Sequence, residues 1–565
     1  MNYKNEIAKI LAKALNSEIE AVLEDLTKPP NTEFGDYAFP CFKYSKIQKK
    51  SPQNIATEIA ESLTELPDWV SGVSAAGPYI NFILNRERLT ALTLNNVLEA
   101  GESYGRDSAG DGKTIVIDYS SPNIAKNFHV GHLGSTVIGR ALANIFSFLG
   151  YKVVRINYIG DWGTGFGKLC VAYKTWGKEP IENYDVDQLN ELYVKFHDEN
   201  AKDEDKTKEL EAQARACSAK METGDAEIMA IWRAIANTSL REYKKIYARL
   251  GVEFDSYKGE SHYNEKIAPL VKELEDSGLL KESEGAKIID LKLGDDAPPL
   301  LILRADGGAL YATRDIAAAI DRYETYEFYE CLYVTASEQK LHFAQFFRAL
   351  ELMGKEWAKR LYHVPYGLFI FEGGKLSTRA GHVIKLADLI DEAVKKTLEI
   401  IAEKNSDIES PEEVAEQVGI GAIVFNQLYN SRGKDARFSF EKTLNFDGET
   451  GPYLQYTCAR AQSAVSKSNA VWDKKSVVGL EEAYEVIDLL REYPEKIKEA
   501  AQKREPYIIS RHLIALAQSF NKFYSVARIL TGDEKEAPRS ELTRATRAVL
   551  VNGLALLGIK VPVKI

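Results

Sequence analysis

The sequence predicts an α/β domain built on a parallel sheet, preceded by a smaller α+β module and followed by an all-α bundle. Three observations predict this. Thr114–Tyr119 and Val153–Ile159 are apolar, β-branched runs, and between them Ile138, Leu142, Ile145, Phe146 and Leu149 recur at helical spacing. Strand, helix and strand in so short a space make a βαβ unit, and such units build parallel sheets. After about Glu412 strand signals fade and helical runs dominate, whereas residues 1–100 mix both patterns and run into a Gly-, Ser- and Asp-rich linker, Gly101–Lys113. The expected divisions are 1–100, 112–411 with a charged helical insertion over about 168–251, and 412–565.

The first module has helix candidates at Tyr3–Leu15 and Pro52–Leu63, a basic patch of Lys43, Lys46, Lys49 and Lys50, and a closing strand, Ala75–Leu84. Tyr79 and Asn81 alternate with Ile80 and Phe82 and so share one strand face. A ring beside an amide can stack on and hydrogen-bond an unpaired RNA base; a partly buried strand face is the alternative. The amphipathic N-terminal helix is unlike a signal peptide, and no apolar run is long enough to span a membrane. Five scattered cysteines suit a reducing compartment, and a net charge of −11 counts against a general nucleic-acid coat while leaving room for local basic and aromatic contacts.

At the mouth of the βαβ unit, where open α/β sheets bind ligands, stands His129-Val130-Gly131-His132. A helix start attracts phosphate, Gly131 lets a ligand approach the backbone, and two imidazoles three residues apart can donate to phosphate oxygens. Two capping surface histidines or a metal site are the alternatives, but no His or Cys cluster supplies further zinc ligands.

The insertion follows, with helical runs at Asp187–His197 and Asp203–Leu250 whose charges read as a solvated face. Strand-like runs come next at Lys287–Leu293, Pro299–Leu303 and Cys331–Ala336. Tyr311 and Asp315, four residues apart at the start of an Ala-rich helix, share a face that would suit a cationic ligand, or Asp315 simply complements the helix dipole. Gln339 lies just past the 331–336 strand, at the ligand-binding end of such a sheet. Glycines flank Lys375-Leu376-Ser377-Thr378-Arg379, whose two cations could clamp a triphosphate or merely decorate a turn; Walker and GxGxxG patterns are absent. In the bundle, helical runs cover Glu412–Leu428, Gly451–Ser468, Gly479–Leu490, Ile508–Ile529 and Arg539–Leu557. Tyr453, Tyr456 and Arg460, with Asn521, Tyr524 and Arg528, set rings and positive charge at helical spacing, suited either to unpaired bases or to core packing.

Taken together these residues name a family. Ser121-Pro122-Asn123-Ile124-Ala125-Lys126 running into His129-Val130-Gly131-His132 resembles the signature of class I aminoacyl-tRNA synthetases, and in detail that of the arginyl-tRNA synthetases. Gly77–Asn81, Asp161-Trp162-Gly163, Tyr311–Ala317, Lys375–Arg379 and Gly451–Tyr456 match the same family in order, so the resemblance spans essentially the whole chain. It implies a Rossmann-like class I catalytic domain with helical insertions, an N-terminal tRNA-binding module and a C-terminal helical anticodon-binding domain. It implies that arginine and ATP, with Mg²⁺, give arginyl-adenylate, from which arginine passes to the 3′ end of tRNA(Arg). His129, Gly131 and His132 would hold ATP, with Lys375, Ser377 and Arg379 stabilising the leaving pyrophosphate. Thr378-Arg379 stands where the class signature has a second lysine, a loss that Lys126 would offset. Arginine would be read by Asp118, Asn123, Tyr311, Asp315 and Gln339, since a forked guanidinium pairs bidentately with carboxylates. Tyr79 and Asn81 would read a base in the tRNA D-loop, and Tyr453, Tyr456 and Arg460 would serve the anticodon end. The resemblance further implies a monomer and tRNA bound before arginine is activated; the scattered cysteines suit a cytoplasmic protein, no resident metal is expected, and no editing module is evident. Asp118, Gly134 and Gly165 stand where a glutamate, an arginine and a glutamine occur in family members. Two other classes remain: a nucleotidyltransferase making a different adenylate, and a catalytically dead tRNA-binding relative.

Overall fold

Four parallel strands, Thr114–Asp118, Lys152–Ile156, Glu330–Tyr333 and Leu361–His363, form the central sheet. Their spatial order is Leu361–His363, Glu330–Tyr333, Thr114–Asp118, Lys152–Ile156. Ile115, Val116 and Ile117 are fully buried, as expected of a strand covered on both faces. Helix Leu133–Phe148 links the first two strands and helix Lys340–Leu352 the last two. Chain order therefore reverses between Thr114–Asp118 and Glu330–Tyr333, and a crevice opens at the C-terminal ends of those two neighbours. The computed structural model describes all residues except 1–2, 30, 32–33, 201–203, 293–297, 373–383 and 405–407.

Several elements differ from expectation for identifiable reasons. The second strand stops at Ile156 because the next N–H, of Asn157, donates to Ser256 O at 2.9 Å instead of to a sheet neighbour. The runs expected at 287–293 and 299–303 become Ala286–Ile289 and Leu300–Leu303. With Leu280–Ser283 they make a separate antiparallel sheet, turned at Glu284-Gly285, both at positive φ as a tight hairpin requires. The run expected over 203–250 is two helices, Glu204–Glu222 and Ala226–Leu250. Gly224 (φ 75°) ends the first, and the Asp225 carboxylate caps the second by accepting from the N–H groups of Glu227 and Ile228. The helix expected to stop at Leu490 covers Tyr484–Lys503, continuing through Pro494.

Contacts group the chain into two units, one of residues 1–101, 464–491 and 519–548, the other of 102–463, 492–518 and 549–565. In the first, a three-stranded antiparallel sheet (Tyr37–Pro40, Tyr79–Leu84, Val70–Ala76, in that order) packs Phe39, Ile80 and Phe82 against Ile7 and Leu11 of the first helix. Arg86 pairs with Asp36 and, at 3.0 Å, with Asp488, so the 464–491 segment is tied into the same unit. The second unit holds the parallel sheet, the insertion helices Thr164–Trp176, Val186–Asn200, Glu204–Glu222 and Ala226–Leu250, and the helices Pro411–Leu428 and Gly451–Val465. Among the described residues no helix is long and apolar enough to cross a membrane.

Candidate active site

The loop leaving the first strand is strained. Ser120, Ser121 and Ala125 adopt φ of 69°, 43° and 61°, a left-handed region that residues with a Cβ rarely occupy. Such a conformation persists only when its surroundings over-determine it, and the last insertion helix supplies most of the ties. Tyr243 OH donates to Asn123 O (2.8 Å) and Lys126 O (2.6 Å), and the Ala125 N–H donates to Ser239 Oγ (2.9 Å). Ser120 Oγ and Tyr247 OH lie 2.8 Å apart, and Thr136 Oγ1 donates to Ser120 Oγ at 2.9 Å. The insertion, whose charges read as a solvated face, thus turns a polar aromatic edge inward to hold the signature loop.

The two histidines follow. Gly131 N–H donates to His129 Nδ1, and His129 N–H donates to His132 Nδ1, each at 3.1 Å. With Nδ1 accepting in both rings, a neutral imidazole carries its proton on Nε2. Both rings are neutral near pH 7. Burial, then Lys126, lowers His129, and burial, then His129, pulls His132 down to about 3. The ring centroids are 3.9 Å apart, so the pair presents two adjacent Nε2–H donors, a fitting surface for phosphate oxygens. On the other side, Val130 N–H donates to Ile384 O (3.0 Å) and Leu386 N–H to Phe128 O (2.9 Å). The chain leaving the glycine-flanked segment is thereby laid beside the histidines. Lys375, Ser377 and Arg379 themselves lie outside the described residues.

Across the crevice stands an acidic wall. Asp118, Asn123, His132, Tyr311, Asp315 and Gln339 all line one cleft of about 550 Å³ at the switch point of the sheet. Asp315 Oδ2 lies 2.6 Å from His342 Nε2, and the Tyr311 ring packs 4.7 Å from that imidazole. Tyr311 is 59% exposed, available to a ligand rather than spent on the core. Lys126 lines a smaller pocket that shares Asn123 and Gly160 with the cleft.

Glu260, for which the sequence reading assigned no role, lines the same cleft. Burial, then the neighbouring Asp315 charge, pushes its carboxyl up to about 8. It is placed by Asp161, whose carboxylate accepts from Ser261 N–H (2.8 Å) and Ser261 Oγ (2.7 Å). Asp118 lines the cleft with its carboxylate already engaged. Its carboxylate is buried, accepts from Ser121 Oγ at 2.8 Å and lies 2.8 Å from Arg322 Nη2. Its charge is therefore answered from inside the fold. The two residues expected to read a base differ in exposure. Tyr79 is 40% exposed, whereas Asn81, paired in register with Ala38 and Ser74 of the flanking strands, is buried. Tyr456 is exposed, whereas Tyr453 and Arg460 are half-buried.

Known proteins match this chain along its whole length. The profile described as tRNA synthetases class I (R), catalytic domain, matches residues 93–440. The DALR anticodon binding domain matches 454–565, and the arginyl tRNA synthetase N terminal domain matches 1–84. The arginine–tRNA ligase of Halothermothrix orenii is 46% identical over the full length of both chains, and that of Clostridium botulinum 45% identical over 99% of each. This chain belongs to the arginyl-tRNA synthetases. The solved arginyl-tRNA synthetase of Thermus thermophilus superposes over all of both chains with a TM-score of 0.82 at 25% identity, and that of Plasmodium falciparum shares the fold at 0.79.

For an arginyl-tRNA synthetase, Gly134 is the departure with a visible cause. A Cβ there would meet the Tyr366 ring at 2.7 Å, and Tyr366 is itself part of the cleft wall beside His132 and Ser135. A ring from another element fills the space that an arginine side chain would need. Gly165 has open space around it, so no neighbour dictates its lack of a side chain.

Proposed function

We propose that the cleft divides its two substrates by charge, arginine at the Asp315–Glu260–Tyr311 wall and the ATP phosphates at the paired imidazoles. The chain is an arginine–tRNA ligase, using ATP to activate arginine and then charging tRNA(Arg). In the first step the arginine carboxylate attacks the α-phosphorus of ATP and pyrophosphate leaves. In the second a ribose hydroxyl at the tRNA 3′ end attacks the adenylate carbonyl and AMP leaves. What supports the division is that Asp315 and His132 line one cleft, a carboxylate with which a guanidinium could pair and a neutral ring whose Nε2–H could donate to phosphate.

Within this reading His129 and His132 stabilise charge growing on the phosphates, and Gly131 lets the nucleotide approach. Lys126, Lys375, Ser377 and Arg379 supply the remaining phosphate contacts. Asp315 and Glu260 pair with the guanidinium, while Asn123, Tyr311 and Gln339 orient the amino acid. Transfer of this kind depends on positioning and electrostatics more than on covalent help from the protein. Mg²⁺ arrives with ATP as its counter-ion. Tyr79 contacts the tRNA from the N-terminal module, on an exposed patch with Phe42 and the nearby lysines. Tyr456 does so from the C-terminal helices. A three-part division near 1–100, 112–411 and 412–565 follows the sequence pattern, a cytoplasmic location fits the five free cysteines, and a monomeric state follows the resemblance.

The test is arginine-dependent ATP–pyrophosphate exchange across a panel of amino acids, with and without tRNA. Arginine alone should score, and only with tRNA present. Equal rates without tRNA would remove the tRNA requirement, and a response to another amino acid would overturn the substrate assignment.

A further inference from the structure

Behind the acidic wall lies a second guanidinium that belongs to the protein. Arg322, in helix Tyr311–Tyr326, is 2% exposed and does not line the cleft. Its Nη2 is 2.8 Å from Asp118 Oδ2, and its guanidinium carbon lies 5.1 and 5.3 Å from the ring centroids of Tyr158 and Tyr333. Those two tyrosines and Asp118 do line the cleft, so they stand between the buried cation and the space a substrate would enter. A buried charge without a partner is very costly, and the aromatic faces offset only part of that cost. The Asp118 carboxylate is therefore bound to answer Arg322 whether or not a substrate is present, and its other oxygen already accepts from Ser121 Oγ.

We propose that Arg322 is a positioning residue for arginine binding: it takes Asp118 as its own counter-ion and leaves the incoming guanidinium to Asp315 and Glu260. Asp118 then serves the site by cancelling a cation in the wall of a cation-binding cleft, and not by touching the ligand. This rests on the reading that arginine binds at Asp315, and the experiment separates the two. A direct ligand role for Asp118 and a charge-cancelling role both predict that Asp118→Asn weakens arginine. They part on the double variant. If Asp118 only answers Arg322, removing both charges restores a neutral wall.

The experiment measures KM for arginine and for ATP by tRNA-dependent pyrophosphate exchange, with thermal melting of each variant. Asp118→Asn should raise the arginine KM about tenfold or more and leave the ATP KM within about threefold, a split that general misfolding would not produce. Asp118→Asn combined with Arg322→Met should return the arginine KM to within about threefold of the native protein. A double variant as weak as Asp118→Asn alone, with a cooperative melt, would overturn the inference. Should the double variant not fold, a crystal structure of the native protein with arginine decides: the Asp118–Arg322 contact intact and the substrate guanidinium on Asp315 support it, and the guanidinium on Asp118 overturns it. Asp315→Asn is the control. If it leaves the arginine KM unchanged, the cleft reading itself falls; if it raises that KM while the double variant fails to recover, only the role of Arg322 falls.

Discussion

If arginine pairs with Glu260, as proposed, its binding depends on pH in a calculable way. Without ligand the Glu260 carboxyl is pushed up to about 8 by burial and by Asp315, so near neutral pH it holds a proton. A guanidinium pairs with the ionised form, and the proton must leave when arginine arrives. The sign follows: below pH 8 each unit of falling pH adds a tenfold cost to binding, about 1.4 kcal/mol, and above pH 8 the cost disappears. For a single group titrating near 8, arginine should bind about fifty-fold more weakly at pH 6 than at pH 8, releasing about 0.9 proton per arginine at pH 7 and about 0.1 at pH 9. Calorimetric titration at pH 7, in two buffers of different ionisation enthalpy, reads the released proton directly. Glu260→Gln preserves size but cannot ionise. It should flatten the profile, abolish the buffer dependence and weaken binding at pH 8 roughly tenfold. An unchanged pH slope in Glu260→Gln would refute the assignment of this proton to Glu260.

Three other outcomes are expected. Gly259→Ala places a Cβ 2.6 Å from the Asp161 carboxylate and 2.7 Å from the Ile159 carbonyl, so it should displace Glu260. The expected result is an arginine KM raised about tenfold and stability lowered by roughly 1–3 kcal/mol, read by exchange kinetics and thermal melting. Tyr243→Phe removes the hydroxyl shared by two loop carbonyls, which should cost about 1–3 kcal/mol in a denaturant titration and lower kcat for activation. His129→Ala with His132→Ala should cost at least about a hundredfold in exchange rate, and because His132 is held down to about 3, kcat/KM for ATP in the native protein should show no inflection from that ring near pH 6.5.

Much of this molecule was legible in its sequence, and the gaps have physical causes. The βαβ unit could be read because β-branched strands and a helical apolar stripe are local patterns, and the histidines lie at its mouth because sheet topology puts them there. Asp315 and Tyr311 were found by helical spacing. Glu260 was not, because it is a single carboxylate opening a one-turn helix, Glu260–Tyr263, and the Asp315 beside it lies far along the chain; the flanking Gly259 and Ser261 were the sole local hint. Arg322 was passed over for a related reason: an arginine at the end of an Ala-rich helix reads as a solvated charge until the fold brings Asp118 to it. Period-two alternation put Tyr79 and Asn81 on one face correctly, but alternation says nothing of what covers that face, and only Tyr79 is open. The Glu284-Gly285 hairpin was available from turn chemistry and was missed as a turn.

The left-handed backbone at Ser120, Ser121 and Ala125 sets a limit on how far this enzyme can be pared down. A protein engineer seeking a minimal catalyst would first excise the long charged helices between the second and third strands, since on paper they look dispensable. Yet the last of them clamps a stretch of chain that would otherwise relax to an ordinary conformation. A shortened protein would keep its sheet and its histidines while losing the shape that holds them to their task.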